Sequence, residues 1–204
     1  NNIAIGYDCG KQMTTGINNV VVGNGAGDAL TTGTTNVLMG FNSGGGLTIG
    51  SLNVAIGGYA LDAEDEKGRN VAVGYQALTD LNAGQDAYNT ALGYRAGFVV
   101  STGIKNTIVG GFAGDNLTTG GNNIIIGYDA TASAVDVSNE TVIGTTTTTS
   151  ALVHGLKKPL YETASNVATA LPNSIYLFTD ADGATVTLPD SGTGAYVGAT
   201  IEFI

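Results

Sequence analysis

A short pattern of one asparagine, three apolar or β-branched positions and one glycine recurs along about three quarters of the chain. The complete copies begin at Asn2, Asn19, Asn36, Asn53, Asn70, Asn89, Asn106 and Asn123. A ninth copy, Glu140 to Gly144, lacks the asparagine. The glycines that end the copies are spaced 17, 17, 17, 17, 19, 17, 17 and 17 residues apart. Self-similarity at a fixed period is the signature of repeat proteins, so the pattern predicts a stack of coils.

Further residues follow each motif glycine at fixed distances. In most copies a small residue comes three positions later, an apolar residue seven positions later, and a second glycine ten positions later. Because glycine accepts positive φ without a Cβ clash, two glycines per period predict two tight corners that join two strands of about five residues. The predicted fold class is all-β, a parallel β-roll or solenoid of about nine 17-residue coils. Coils about 4.8 Å apart would form a rod roughly 40 Å long.

The three positions between the asparagine and the glycine predict how each strand faces its surroundings. Successive side chains of a strand point to opposite faces, so the first and third positions, such as Val54 and Ile56, are expected to fill the roll. The middle position would then face outward, yet it is apolar in every copy. Such a stripe is too large to stay exposed on a monomer. We expect it to be buried against identical chains in a closed trimer around a common axis, although a dimer through the same stripe remains open.

The repeated asparagines are expected to form a structural ladder. At a period of one coil they stack above one another, and side-chain amides in parallel stacks bond along the stack. The predicted ladder contains Asn2, Asn19, Asn36, Asn53, Asn70, Asn89, Asn106 and Asn123. Glu140 ends it, which is consistent with a cap near that end of the stack.

The repeat ends near residue 149, and the composition then changes. We expect a β-roll domain over residues 1–149, a linker over 150–160 that contains His154, and a small antiparallel β module over 161–204. Strands are predicted at 174–179, 184–188 and 195–204, separated by turns that contain glycine or proline. The last predicted strand is apolar up to the final residue, so the module is expected to be incomplete, with a continuation of the chain or a neighbouring chain pairing with its edge.

Composition and charge exclude several classes of function. Glycine accounts for 32 of 204 residues and charged residues for 12 %, against averages of about 7 % and 25 %. The net charge of −10 opposes nucleic-acid binding, which needs clustered Lys and Arg. A single cysteine and a single histidine exclude a disulfide framework and a Cys/His zinc site. No apolar run approaches the length of a membrane span. We therefore expect no catalytic residue, no metal, no cofactor and no membrane insertion.

One interruption of the repeat is a candidate ligand site, because irregularities in a regular scaffold are where function is often placed. The coil after Gly57 has an acidic corner, and the next coil carries a two-residue insertion near the same corner. Stacking is expected to bring the two together as an acidic patch that binds a cation or a sugar. The alternatives are a solvated bulge that keeps the rod soluble, which charge runs favour, and a carboxylate pair for glycoside hydrolysis. The patch contains Asp62, Glu64, Asp65, Glu66, Asp86 and Tyr88.

Aromatic residues directly after the motif glycine form a second recurring feature. Stacked rings of this kind are expected to make a structural column, and sugar stacking along the same edge is the alternative. The residues are Tyr7, Phe41, Tyr75, Tyr94 and Tyr128.

The repeat resembles a known family. Asn53-Val-Ala-Ile-Gly57-Gly-Tyr-Ala60 and Asn70-Val-Ala-Val-Gly74-Tyr-Gln-Ala77 are similar to the head repeats of YadA-like trimeric adhesins, and the 17-residue unit with Leu-Thr-Thr-Gly more closely resembles repeats of bacteriophage tail fibres and other virion fibres. The resemblance covers about residues 1–144. It implies an interwound homotrimer of left-handed parallel β-rolls.

The resemblance also implies a function and partners. It implies a structural segment of a virion fibre that holds or contributes to host-attachment domains, with the other fibre domains and a host cell-surface glycan or protein as partners. A bacterial surface adhesin head, located outside the cell, and a polysaccharide depolymerase tailspike are the alternatives. Since the chain begins with Asn1 rather than a methionine, we expect it to be a piece of a longer protein.

Overall fold

The computed structural model describes residues 1–63 and 68–148, together with the backbone of Tyr161–Glu162 and Tyr176–Leu177. The chain divides into two compact units, Asn1–Ala151 and Leu152–Ile204. The first unit is an all-β solenoid whose nine strands form one parallel sheet in chain order. These strands are β1 (Ile3–Ile5), β2 (Val20–Val22), β3 (Val37–Met39), β4 (Val54–Ile56), β5 (Val71–Val73), β6 (Thr90–Leu92), β7 (Thr107–Val109), β8 (Ile124–Ile126) and β9 (Thr141–Ile143).

The strands pair in the register that the repeat period predicts. Ile3 pairs with Val20, seventeen residues later, and the same offset holds for every neighbouring pair except one. Between β5 and β6, Val71 pairs with Thr90, so the two inserted residues are accommodated outside the sheet. The period of the sequence therefore sets the sheet order and register.

Each coil contributes one strand of three residues rather than two strands of about five, so that expectation is wrong. The opposite side of each coil is built of turns, which still bond from coil to coil through the backbone, as in Gly10 N–H to Ala26 C=O at 2.9 Å and Thr14 N–H to Thr31 C=O at 2.9 Å. Positive φ recurs along this side, at +54° for Asp8 and +55° for Gly10, for example. Left-handed residues at alternate positions curl the backbone, so an extended strand does not form there.

The assignment of the strand faces is also wrong. The middle residue of β2 to β8 is buried and fills the roll, whereas the first and third residues lie on the outer surface. In β2, for example, Val21 is fully buried between two partly exposed valines. The turn side supplies the rest of the interior, with Ala26 and Leu30 in the same coil. A coil of 17 residues is narrow, and with these side chains inside it holds only one residue from the strand.

In four coils a large side chain at one of two interior positions accompanies a small residue at the other. In the coils of β3 and β7 the middle strand residues are Leu38 and Ile108, and the position four residues after the motif glycine is glycine. In β4 and β5 the middle residue is alanine, and that position is a buried leucine, Leu61 or Leu78, with φ of +54° or +50°. Left-handed φ costs roughly 1–2 kcal/mol in such a residue, and burial of a leucine contributes about 1.5–3 kcal/mol. The larger side chain therefore offsets its own backbone strain.

The asparagines form a buried ladder that links side chain to backbone. Each Oδ1 accepts a hydrogen bond from the backbone N–H of the asparagine in the next coil, at 2.8–3.1 Å along the stack. The Nδ2 of Asn19, Asn89 and Asn106 donates to the carbonyl of the second-corner glycine fourteen residues later, at 2.8–2.9 Å. The ladder ends at Glu140, whose backbone N–H donates to Asn123 Oδ1 at 2.9 Å. From Asn19 to Asn123 the asparagines of the ladder are buried, and each of these amides satisfies backbone groups that water does not reach.

Glycine is required at two positions of the repeat, for two different physical reasons. The motif glycine Gly93 has a φ of +141°, a region open only to glycine, and a Cβ there would lie 2.5 Å from the carbonyl oxygen of Gly110. The second-corner glycine Gly103 is not left-handed, but a Cβ on it would lie 2.5 Å from the carbonyl oxygen of Gly120. Close approach of consecutive coils, rather than positive φ, therefore requires glycine at position 103.

In the second unit, β10 (Tyr161–Glu162) and β11 (Tyr176–Leu177) pair in parallel, with Tyr161 opposite Tyr176. This pair differs from the antiparallel pairing expected of the C-terminal module. The 13 residues between the two strands are long enough for the crossover that parallel pairing needs. β11 falls inside the strand predicted at 174–179, whereas the linker and the strands predicted at 184–188 and 195–204 lie outside the described residues.

Candidate functional site: the outer sheet face and its two flanking columns

The outer face of the nine-stranded sheet is an apolar surface. It is formed by the first and third residues of each strand, most of which are Val, Ile, Leu or Met. Nine strands about 4.8 Å apart and three residues long give a face about 38 Å by 10 Å. Many of its side chains are exposed: Ile3, Ile5, Met39, Ile56, Val71, Leu92, Ile124, Ile126 and Ile143. An apolar patch of this size, roughly 380 Å², is comparable to the largest patch on a typical monomer, and such patches are often functional interaction surfaces.

A column of aromatic rings flanks this face on the side where the strands end. We call it the aromatic column. Neighbouring ring centroids are 5.1–6.1 Å apart, mostly edge to face, and Tyr75 and Tyr94 stack at an interplanar angle of 12°. Each of six consecutive coils supplies one ring. The rings belong to Phe41, Tyr59, Tyr75, Tyr94, Phe112 and Tyr128.

Tyr59 and Phe112 were not among the predicted aromatic residues, because these rings come from the second position after the motif glycine instead of the first. The first position is then Gly58 or Gly111. A Cβ on Gly58 would lie 3.3 Å from the ring of Tyr75, so the glycine leaves room for the ring of the following coil. A second glycine beside the motif glycine, followed by an aromatic residue, is the signal that identifies these members.

A second column flanks the face on the side where the strands begin. We call it the left-handed column, since its residues have φ of +54° to +66° although none is glycine. Each is exposed and lies directly before a ladder asparagine or, for Asn139, before Glu140. The backbone N–H groups of seven of the eight bond to the preceding coil, for example Lys105 to Ala87 C=O at 2.7 Å, which holds the conformation in place. The members are Asn18, Thr35, Leu52, Arg69, Tyr88, Lys105, Asn122 and Asn139.

The structure brings two residues of the predicted acidic patch together around a cation of the left-handed column. Asp86 Oδ2 accepts a hydrogen bond from Arg69 Nε at 2.7 Å. The Arg69 guanidinium also lies 5.5 Å from the centre of the Tyr88 ring. The hydrogen bond that Arg69 donates to Asp86 raises the pKa of Arg69 above its ordinary value. Asp86 and Tyr88 thus belong to a mixed polar, charged and aromatic cluster.

The other members of the predicted patch are placed differently. The Asp62 carboxyl accepts a hydrogen bond from the backbone of Gly45 in the preceding coil, and burial raises its pKa above the ordinary value of 3.8. Glu64, Asp65 and Glu66 lie outside the described residues. Across residues 1–63 and 68–148, no three His, Cys, Asp or Glu side chains are grouped so that they could hold a metal ion.

A second cation, Arg95, contacts Phe98, which lies outside the aromatic column, and approaches one ring of the column. The Arg95 guanidinium lies 4.0 Å from the centre of the Phe98 ring and 5.8 Å from that of Phe112. Both distances are typical of cation–π contacts, and of the two rings only Phe112 belongs to the aromatic column.

In the part of the chain that the structure describes, no helix has the length and apolar character of a membrane span. Comparisons of this chain with protein-family models, with curated proteins and with solved structures found no match.

Proposed function

We propose that this chain is a structural segment of a homotrimeric fibre in which the outer sheet faces of three chains pack around a common axis. The observation that carries the proposal is the exposed apolar sheet face, which runs the whole length of the nine-stranded stack. Burying it requires a partner with the same length and period. A second and third copy of the chain meet that requirement coil for coil.

The solenoid also has the mechanical character that a fibre needs. Consecutive coils are joined by backbone hydrogen bonds on both the strand side and the turn side, and the buried asparagine ladder adds side-chain bonds along the same direction. Stacked repeats of this kind make extended, stiff structures. Such a rod would hold attachment domains away from the particle that carries them. The assignment to a virion fibre, and to host attachment, follows from the resemblance of the 17-residue repeat.

Light scattering tests the oligomeric state. Three chains of 20.4 kDa give a particle of three times that mass, about 61 kDa, which we expect to persist on dilution. A monomer at 20.4 kDa would refute the fibre proposal. A stable dimer would show that the face is an interface and would refute the trimer.

A matched pair of variants tests whether the sheet face carries the association. Ile56 lies on the outer face and Ile49 lies at the second corner of the preceding coil, and their side chains are exposed to similar extents, 37 % and 46 %. Ile56→Asp places a charge in the proposed interface, so we expect it to dissociate the assembly. Ile49→Asp should leave the mass unchanged. Equal effects of the two variants would contradict association through the sheet face.

Labelling separates the virion fibre from the bacterial adhesin. An antibody against this chain, seen by electron microscopy, is expected to label fibres on virus particles. Labelling of bacterial cell surfaces in the absence of particles would support the adhesin instead.

A further inference from the structure

The two columns beside the sheet face carry complementary chemistry in the middle of the stack. Along the left-handed column the middle members are Leu52, Arg69, Tyr88 and Lys105, whereas those nearer the ends are Asn or Thr. The aromatic column has one ring in each of the same four coils. Coil by coil, Leu52 accompanies Tyr59, Arg69 accompanies Tyr75, Tyr88 accompanies Tyr94, and Lys105 accompanies Phe112. Apolar, cationic and aromatic groups are the side chains that pack best on aromatic rings.

Within one chain the two columns do not meet. Arg69 precedes β5 and Tyr75 follows its end, so a three-residue strand and the two residues that flank it lie between them. An extended segment of this length spans roughly 17–20 Å. The complementary side chains are therefore held at opposite edges of the same apolar face.

Rotation about an axis along the rod brings opposite edges of neighbouring copies together. In such a closed assembly all sheets face the axis and their strands run in the same rotational sense. The edge where strands end in one copy then lies beside the edge where strands begin in the next. A pure rotation does not shift copies along the axis, so the residues that meet belong to the same coil. This holds for two copies as well as for three.

We propose that the left-handed column of one copy docks on the aromatic column of the next, coil by coil. Lys105 lies over the ring of Phe112 of the neighbouring copy, and Arg69, whose Nε stays bonded to Asp86 of its own chain, presents the exposed part of its guanidinium to Tyr75 of that copy. The occupant of the aromatic column is thus a second copy of this chain, not a glycan. The inference rests on the proposed trimer and adds how the copies are aligned. The rings run through six consecutive coils, whereas Arg69 and Lys105 lie in the coils of β5 and β7. A shift of one copy by three or more coils would therefore take at least one of the two cations off the rings, and the seam limits the axial register to that extent.

Disulfide trapping tests the seam in the full chain. In a Cys9→Ser background, Arg69→Cys is combined with Tyr75→Cys in the same coil. Oxidation is expected to convert the 20.4 kDa band on a non-reducing gel into a linked species of three chains. A bond inside one chain cannot form, since the Cα atoms of a disulfide lie within about 7 Å of one another. The matched control combines Arg69→Cys with Tyr128→Cys, which occupies the same repeat position as Tyr75 but lies three coils further along.

The outcomes separate the seam from the fibre proposal. Linked trimers from the Tyr75 pair, together with unlinked chains from the Tyr128 pair, support the seam. A trimeric mass with no linkage, or with equal linkage in both pairs, overturns the seam and leaves the fibre proposal in place. A monomeric parent chain overturns both. Leu52→Cys with Tyr59→Cys repeats the test one coil earlier, and the same criteria apply if the Arg69 pair prevents assembly.

Discussion

Removal of one buried amide from the asparagine ladder gives the sharpest test of the solenoid's interior. Asn106 is fully buried, and its Oδ1 accepts hydrogen bonds from the backbone N–H of Asn123 at 3.0 Å and from Asn123 Nδ2 at 3.1 Å. Its own Nδ2 donates to the carbonyl of Gly120 at 2.9 Å. Asn106→Ala therefore removes a hydrogen-bond partner from two backbone groups, the carbonyl of Gly120 and the N–H of Asn123.

The magnitude follows from the groups that lose a partner. Asn123 Nδ2 retains a second bond, to Val137 C=O at 2.7 Å, so it is not left without a partner. The backbone N–H of Asn123 and the carbonyl of Gly120 each lose the bond to Asn106. A buried polar group that loses its partner costs about 1–3 kcal/mol, so two such groups predict a loss of about 2–6 kcal/mol. The exposed Asn82→Ala is the matched control, with an expected change within about 0.5 kcal/mol.

Denaturant unfolding at fixed protein concentration measures the free energy of unfolding of both variants. Amide hydrogen exchange adds a local measurement, since the backbone N–H of Asn123 should lose protection by roughly 5- to 150-fold in Asn106→Ala. Protection of amides several coils away should change much less, because contacts in a solenoid are between nearest neighbours. Equal stabilities of Asn106→Ala and Asn82→Ala, with unchanged exchange at Asn123, would refute the role assigned to the ladder.

Three further predictions concern the backbone, the interior and a single carboxyl. Gly93→Ala should lower the thermal unfolding midpoint more than Gly84→Ala does. Both glycines have positive φ, but a Cβ at Gly93 would clash with the next coil, whereas nothing lies within 4 Å of a Cβ at Gly84. Leu38→Ala should lower the free energy of unfolding by about 2–5 kcal/mol, because it leaves a cavity inside the roll. Met39→Ala should lower it less, because Met39 is 38 % exposed, and the reverse order would contradict the assigned strand faces. Asp62→Asn should raise the thermal unfolding midpoint at neutral pH, because the raised pKa of Asp62 means that the folded chain disfavours the ionised carboxyl. The gain should vanish as the pH falls below 3.8, and Asp80→Asn, at an exposed position, is the control.

Much of the architecture was accessible from the repeat itself. The spacing of the motif glycines indicates the number of coils, the order of the strands and their register, because parallel pairing of identical units repeats the same offset. Even the 19-residue coil keeps its register, since the motif from Asn89 to Gly93 stays intact and the two extra residues fall in the corner before it. Local pattern and global pairing agree in this domain, which is why the period alone predicts the sheet.

The candidate site was less accessible from the sequence. The predicted patch was defined by acidic residues, whereas the structure places Asp86 and Tyr88 around the cation Arg69 and directs Asp62 toward the preceding coil. Which side chains meet at a corner depends on how the inserted residues fold back, and spacing carries no information about that. The aromatic column was predicted only in part. Its rings come from the first position after the motif glycine in some coils and from the second position in others, and only the ring stacking in the structure shows that both belong to one column.

The sequence by itself determined the period, the coil as the building unit, the strand positions and the two alternating sets of strand side chains. Only the tertiary structure decided which of those sets lies inside. Alternation separates the faces of a strand but assigns neither to the interior, and that choice depends on the volume left after the turn side has contributed Ala26, Leu30 and their equivalents. A narrow coil accepts one strand residue and turns the other two outward. The apolar face on which the proposed assembly depends is thus a consequence of the space inside the roll.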